Sequence, residues 1–95
     1  MRIYLSGKIT GTTDYKERFQ DAESKARFSF PSAEIINPVT IGEVLPVGSS
    51  WKAYMDLSID ALKKCNAIMM LDGWEDSKGA CVEYYLAKEW GYLII

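Results

Sequence analysis

Hydrophobic residues along this chain fall into short continuous runs and into longer segments with helical spacing. Short apolar runs bounded by glycine, proline or polar residues predict strands. Four such runs occur, at Arg2–Ser6, Glu34–Asn37, Ala67–Leu71 and Tyr92–Ile95. Apolar residues three and four positions apart predict helices. Three such segments occur, from Tyr15 to about Ala26, from about Ser50 to Lys64 and from Gly79 to Trp90. Strands and helices therefore alternate.

This alternation predicts the fold class. Strand–helix–strand units build parallel sheets through right-handed crossovers. We therefore expect one α/β domain over residues 1–95, with a small doubly wound parallel sheet of about four strands, helices on both faces and a flavodoxin-like or Rossmann-like arrangement. Ligands bind such sheets at the carboxyl ends of the strands, where the loops Gly7–Thr13 and Asp72–Gly79 are expected to meet. Val39–Ser50 is expected to be a long loop, and Asp14 to cap the first helix.

Glu83 is predicted to lie within the apolar side of the third helix. At about 100° per residue, Val82, Leu86, Ala87 and Trp90 fall on one side of this helix, and Glu83 projects between them. Burying a carboxylate costs several kcal/mol unless it is paired or hydrogen-bonded. The position is therefore a candidate functional site, and a purely structural hydrogen-bond network around Glu83 is the alternative.

The composition is typical of a globular protein and excludes several function classes. Hydrophobic residues make up 48% of the 95 residues and charged residues 25%. The net charge of −2, with dispersed Lys and Arg, argues against a nucleic-acid partner. Because the chain has no histidine, Ser-His-Asp and Cys-His catalysis and the usual histidine-containing zinc sites are excluded. We expect no metal and no other cofactor.

Further features bear on location and assembly. No apolar run reaches membrane-spanning length, and Met1–Leu5 is too short for a signal peptide, so no membrane partner is expected. Cys65 and Cys81 lack metal-like spacing and are expected to be small buried residues in a reducing cytoplasm. Three tryptophans and six tyrosines exceed what so small a sheet buries, which favours a homodimer or higher oligomer.

Two loops could bind an anion or a sugar. The loop with Gly7 and Gly11 leaves a strand for a helix, and its backbone amides could approach a phosphate. It matches no established phosphate-loop pattern, so a plain turn is the alternative. Ser77, Lys78 and Gly79 lead into a helix N-terminus that suits an anion. An ordinary N-cap by Ser77 is the alternative there.

Four motifs in order resemble the nucleoside 2-deoxyribosyltransferase superfamily. They are Ile3-Tyr4-Leu5-Ser6-Gly7, Asn37-Pro38, Cys65-Asn66-Ala67-Ile68 and Ser77-x-Gly79-x-x-x-Glu83. The resemblance covers nearly the whole chain and is closest to a short branch labelled only as a domain of unknown function.

The resemblance implies roles for particular residues. Glu83 would be the nucleophile that attacks the anomeric carbon of a deoxyribosyl group, and Tyr4 would hydrogen-bond and orient it. Ser77 takes the position that binds phosphate in relatives acting on deoxynucleoside 5′-monophosphates. The remaining candidate substrate-binding residues are Gly7, Lys8, Ile9, Ser58, Asp72, Gly73 and Gly79.

The chain also departs from the family pattern. Ser58 stands where the family usually has an aspartate that contacts the sugar or the leaving base. Relatives continue beyond the last strand and reach a neighbouring subunit's pocket, whereas this sequence ends at Ile95. We expect an N-glycosidase or deoxyribosyltransferase acting on a deoxynucleoside or its 5′-monophosphate. The alternatives are a non-catalytic nucleotide-binding module and a small structural oligomer.

Overall fold

The computed structural model describes residues 1–95 and contains four strands, four α-helices and one short 3-10 helix. The strands are β1 (Arg2–Ser6), β2 (Glu34–Ile36), β3 (Ala67–Met70) and β4 (Leu93–Ile94). The α-helices are α1 (Tyr15–Ser29), α2 (Pro38–Gly42), α3 (Trp51–Lys63) and α4 (Lys78–Glu89). The 3-10 helix, Trp74–Asp76, lies between β3 and α4. No helix combines the length and hydrophobicity that a membrane crossing requires.

The four strands form one parallel sheet in the order β2-β1-β3-β4. The chain adds β2 on one side of β1 and then crosses to add β3 and β4 on the other side. The predicted α/β fold with a small, all-parallel, doubly wound sheet is therefore confirmed. The direction reverses between β1 and β3, and the carboxyl ends of strands at such a reversal are where these sheets bind ligands.

Alternate side chains of β1 point into two different cores. Ile3 and Leu5 pack with Phe19 of α1 on one face of the sheet. Tyr4 packs on the opposite face with Leu62 of α3 and Ala87 of α4. Because side chains alternate across a strand, the residue that shares Tyr4's face is Ser6, and both are completely buried.

The region predicted as a long loop contains the short helix α2. Asn37 caps it by accepting a hydrogen bond from the Val39 amide, and Pro38 occupies its first turn. Proline has no amide hydrogen, and the first turn of a helix leaves that group unpaired in any case. The loop expectation for Val39–Ser50 is thus wrong over Val39–Gly42, which belongs to α2, and holds only for the segment that follows.

Three other local expectations differ from the structure. The Asp14 side chain makes no capping hydrogen bond with α1. The helical spacing of apolar residues predicts that Trp51 and Trp90 face inward, but they are 48% and 40% exposed. Trp51 is the first residue of α3, and Trp90 directly follows α4.

Candidate functional site

Glu83 is buried in α4 with both carboxylate oxygens hydrogen-bonded to β1. The Tyr4 hydroxyl donates to Oε2 at 2.5 Å, and the Ser6 hydroxyl donates to Oε1 at 2.7 Å. Only 5% of Glu83 is exposed. Two hydroxyl donors therefore replace the water that the carboxylate loses, as a buried polar group requires.

Burial and hydrogen bonding act in opposite directions on the pKa of Glu83. Loss of water around the carboxylate is the larger effect and raises its pKa above the ordinary value of 4.5. The hydrogen bonds from Tyr4 and Ser6 lower the pKa and offset part of this rise. The net shift of the pKa therefore favours the protonated form of Glu83.

Tyr4 remains a hydrogen-bond donor over the whole physiological pH range. Burial raises the pKa of its hydroxyl well above 10, and the negative charge of Glu83 raises it further. A polar contact with the Ser58 side chain lowers this pKa. Ser58, at the position where the resembled family has an aspartate, therefore lies beside Tyr4 and acts on it.

Ser6 is the site residue that the sequence reasoning missed. It belongs to the Ile3–Gly7 motif, yet only Tyr4 and Gly7 of that motif were assigned a role. The period of two in a strand carries the missing signal, since Ser6 must share a face with Tyr4. A hydroxyl on an otherwise apolar buried strand also needs a polar partner, and Glu83 provides it.

A cavity of about 580 Å³ opens next to Glu83. It lies at the carboxyl end of β1, on the sheet face covered by α3 and α4, and α2 with the following segment forms its outer wall. Both apolar and polar groups line it, which is typical of small-molecule sites. Tyr4 and Glu83 lie on its wall, so the hydrogen-bonded carboxylate faces an accessible volume.

Gly7 permits the tight packing at the end of β1. A Cβ atom on Gly7 would lie only 2.8 Å from Cβ of Leu71, closer than two carbon atoms can approach without displacement. The absence of a side chain lets the first loop pass over the end of β3. Gly7 and Ile9 both line the cavity as a result.

The N-terminus of α4 forms another wall of the cavity. Ser77 caps this helix, with its Oγ accepting a hydrogen bond from the Ala80 amide at 3.2 Å. The first amides of a helix have no acceptor within it, and the Ser77 hydroxyl keeps its own proton free to donate. Ser77 and Gly79 line the cavity. The N-cap interpretation is therefore correct, and it is compatible with an anion bound at the same residues.

The structure brings together most, but not all, of the predicted site residues. Those that line the cavity are Tyr4, Gly7, Ile9, Ser58, Ser77, Gly79 and Glu83. Lys8, Asp72 and Gly73 do not line it. Asp72 lies instead on a smaller cavity of about 260 Å³, and its carbonyl accepts a hydrogen bond from Nη2 of Arg18 in α1. The loop after β3 turns towards α1 through Gly73, whose φ of +82° suits glycine.

A family model described as a domain of unknown function, DUF4406, matches residues 1–95. The match spans the whole sequence. The chain belongs to the DUF4406 family. No curated protein matches it, and no solved structure matches it.

Charged side chains near the cavity of this DUF4406 protein are few. Lys16 and Glu43 line it besides Glu83, and both are exposed. Lys78 lies at the N-terminus of α4 with its Nζ 4.9 Å from the ring centroid of Trp51. No group of three or more His, Cys, Asp or Glu residues is positioned to hold a metal ion. Glu83 is thus the one buried ionisable carboxylate of the site.

Proposed function

We propose that this chain acts in the cytoplasm as an N-glycosidase or deoxyribosyltransferase on deoxynucleoside 5′-monophosphates, with Glu83 as nucleophile. The observation that carries the proposal is the buried Glu83 carboxylate, which two hydroxyl groups hold at the wall of a nucleotide-sized cavity. A buried ionisable group with a shifted pKa beside a cavity is a common mark of a functional site. The resemblance to nucleoside 2-deoxyribosyltransferases supplies the reaction class.

The proposed reaction follows the two-step course of retaining glycosidases. One Glu83 oxygen attacks C1′ of the deoxyribosyl group, the bond from C1′ to the base nitrogen breaks, and the base leaves with the bonding electrons and takes a proton from solvent. Water, or the nitrogen of an acceptor base, then attacks C1′ and releases the carboxylate. The hydrogen bonds from Tyr4 and Ser6 fix the orientation of the carboxylate before attack.

The spacing of Ser77 and Glu83 supports a monophosphate ligand. The two residues are six positions apart along α4 and its cap, which corresponds to about 9 Å of helix rise. A 5′-phosphate at the helix N-terminus would then leave C1′ of the same sugar within reach of Glu83. The Ser77 hydroxyl proton and the first amides of α4 would bind the phosphate.

Ser58 favours a second candidate, a nucleotide-binding protein without turnover. The resembled enzymes have an aspartate at this position, whereas Ser58 offers only a hydroxyl beside Tyr4. The other acidic residue that lines the cavity, Glu43, is exposed. With no buried second carboxylate to protonate the leaving base, cleavage would be slower than in an enzyme with a full acid–base pair.

Base release separates the two candidates. Purified wild-type protein and Glu83→Gln are incubated with each of the four deoxynucleoside 5′-monophosphates, and free base is measured by chromatography. We expect base release by the wild type and its loss in Glu83→Gln. Binding without base release by the wild type would reject the enzyme and leave the binding module. If the wild type neither binds nor cleaves, both candidates fail.

We also propose that the chain forms a homodimer or higher oligomer. Leu93 and Ile94, on the edge strand β4, are 54% and 40% exposed, and Tyr85 of α4 and Trp90 directly after it are exposed as well. Apolar and aromatic residues are enriched at protein interfaces, and an uncovered strand edge can pair with another chain. Light scattering should give at least twice the monomer mass of 10.7 kDa, and a monomer at micromolar concentration would reject the proposal.

A further inference from the structure

Four aromatic side chains line the cavity, and two of them are already committed to other contacts. The Tyr4 hydroxyl bonds to Glu83, and its ring is completely buried in the core. The ring of Tyr15 packs against the core between the sheet and α1. Neither ring is free to stack on a ligand. The remaining two aromatic side chains, Trp51 and Tyr54, come from the first turn of α3.

Trp51 and Tyr54 differ in what covers their rings. The ammonium group of Lys78 lies over the ring of Trp51 at 4.9 Å from its centroid, a distance typical of a cation–π contact. One face of Trp51 is thus occupied by α4. Tyr54 belongs to neither core cluster and is 38% exposed while lining the cavity. Its ring is the uncommitted aromatic surface of the site.

Gly42 at the end of α2 faces the same ring. A Cβ atom on Gly42 would lie 3.4 Å from Cε1 and 3.5 Å from Cδ1 of Tyr54. A methyl group would thus already be in van der Waals contact with this side of the ring, and a longer side chain would have to displace the ring or extend into the cavity, which Gly42 and Tyr54 both line. Gly42 does not have a positive φ, so the backbone does not require glycine here. Glycine is also a poor helix former, and what it provides here is close packing of α2 against Tyr54 that leaves part of the ring exposed.

We infer that the exposed part of the Tyr54 ring, bordered by Gly42, forms the base slot, the part of the cavity that receives the aromatic base of the ligand. This inference rests on the proposed nucleotide site and adds the part of the cavity that distinguishes a nucleotide from a sugar phosphate. The phosphate and sugar lie along α4 from Ser77 to Glu83, and the base stacks on the part of the Tyr54 ring that Gly42 does not cover. Stacking of a base on an aromatic side chain is worth about 1–3 kcal/mol, which corresponds to about 5- to 150-fold in affinity.

The test compares nucleotides with a ligand that has no base. Affinities of the wild type for the four deoxynucleoside 5′-monophosphates and for 2-deoxyribose 5-phosphate are measured by calorimetry, or as KM where base is released. We expect every nucleotide to bind at least about fivefold more tightly than 2-deoxyribose 5-phosphate. Gly42→Leu and Tyr54→Leu should each remove that difference and leave the affinity for 2-deoxyribose 5-phosphate unchanged. Tyr54→Phe, which keeps the ring, should retain it.

The matched control places the same side chain on the same helix outside the cavity. Thr40 is exposed in α2 and does not line the cavity, so Thr40→Leu should leave all affinities unchanged.

Thermal unfolding of each variant reports on its folding. The slot is rejected if folded Gly42→Leu and Tyr54→Leu bind nucleotides like the wild type, or if the wild type binds 2-deoxyribose 5-phosphate as tightly as the nucleotides. Loss of base release in Glu83→Gln would then still support the proposed function. If the wild type binds no nucleotide, the slot and the proposed function both fail.

Discussion

The Ser6 hydroxyl lies 2.7 Å from Oε1 of Glu83 and donates a hydrogen bond to it, although the two residues are 77 positions apart. Because Tyr4 holds the other oxygen from the same face of β1, the carboxylate is attached to one strand at two points. Its plane is therefore set by the backbone of β1 and not by the flexible side chain of Glu83. In the proposed reaction, the carboxylate would therefore not have to be ordered again when substrate binds.

The first prediction concerns the pH at which Glu83 becomes active. The hydrogen bonds from Tyr4 and Ser6 both lower the pKa of Glu83, with Tyr4 the larger contributor. Because the charged form is the proposed nucleophile, base release should rise with pH as Glu83 loses its proton. Tyr4→Phe and Ser6→Ala should each move this rise to higher pH, and Tyr4→Phe should move it further. The measurement is the pH profile of kcat/KM.

Each substitution should also cost about 1–3 kcal/mol of stability, because the buried carboxylate loses a donor. A fall in rate without a shift of the pH profile would show that the hydroxyl groups act only through stability. Ser58→Ala serves as the control for the pH profile. The Ser58 side chain contacts Tyr4 but does not act on the pKa of Glu83, so this variant should not shift the profile.

The second prediction concerns stability as a function of pH. The pKa of Glu83 is raised in the folded protein, so the folded state binds this proton more tightly than the unfolded state. The contribution of Glu83 to the free energy of unfolding is then fully present below pH 4.5 and is lost as the pH rises through the raised pKa. Each unit of difference between the pKa of Glu83 in the folded and unfolded states changes the free energy of unfolding by about 1.4 kcal/mol.

Glu83→Gln removes this ionisation while keeping nearly the same shape. Relative to the wild type, its free energy of unfolding should increase as the pH rises from 4 to 8, as measured by urea denaturation at fixed ionic strength. The difference between the two proteins isolates Glu83 from the other carboxylates, which titrate in both. A difference that stays constant over this range would contradict the raised pKa.

The parts of the site that could be predicted from the sequence are those determined by residues close together in the chain. The burial of Glu83 follows from helical periodicity within α4, and the alternation of strands and helices predicted the parallel sheet. The pairing of Tyr4 with Glu83 was expected from the resemblance. Ser6 could have been placed by strand alternation alone, because it is two residues after Tyr4.

Other parts of the site depend on long-range packing. The path of the loop after β3 is set by the left-handed turn at Gly73 and by the hydrogen bond from Arg18 to the Asp72 carbonyl. These contacts direct Asp72 towards α1, and no pattern near Asp72 in the sequence specifies them. At Asn37-Pro38 two local signals compete, since proline ends a strand and also begins a helix. The predicted strand does end before Pro38, but the helix α2 that begins at Pro38 was not predicted.

The third prediction separates helix capping from phosphate binding at Ser77. Ser77 and Ser50 cap α4 and α3 in the same way, each accepting a hydrogen bond from the amide three residues later, but only Ser77 lines the cavity. Ser77→Ala and Ser50→Ala should each cost about 1 kcal/mol of stability. Only Ser77→Ala should also weaken binding of deoxynucleoside 5′-monophosphates, since it removes a donor to a charged group.

Ser77→Asp refines this test, because aspartate is a good N-cap but repels a phosphate. It should keep the stability of the wild type, lose at least about tenfold in affinity for the monophosphates and keep its affinity for the unphosphorylated deoxynucleosides. Calorimetry with matched nucleotide and nucleoside pairs provides the measurement. Equal losses for both ligands would place the phosphate elsewhere.

The fourth prediction contrasts two glycines that line the cavity. A Cβ on Gly7 would meet Cβ of Leu71 at 2.8 Å, whereas one on Gly79 would meet Sδ of Met55, near the end of that side chain, at 3.0 Å. The first neighbour is attached directly to the backbone of the strand end, and the second is the far end of a flexible side chain that can move. Gly7→Ala should therefore cost about 1–3 kcal/mol of stability. Gly79→Ala should cost less or even stabilise the protein, because alanine favours the helix by about 1 kcal/mol.

Urea denaturation of both variants measures this difference in stability. An equal loss would mean that Leu71 moves aside as readily as Met55. Base release should follow the same order, since displacement of Gly7 also moves the end of β1, where Tyr4 and Ser6 hold Glu83.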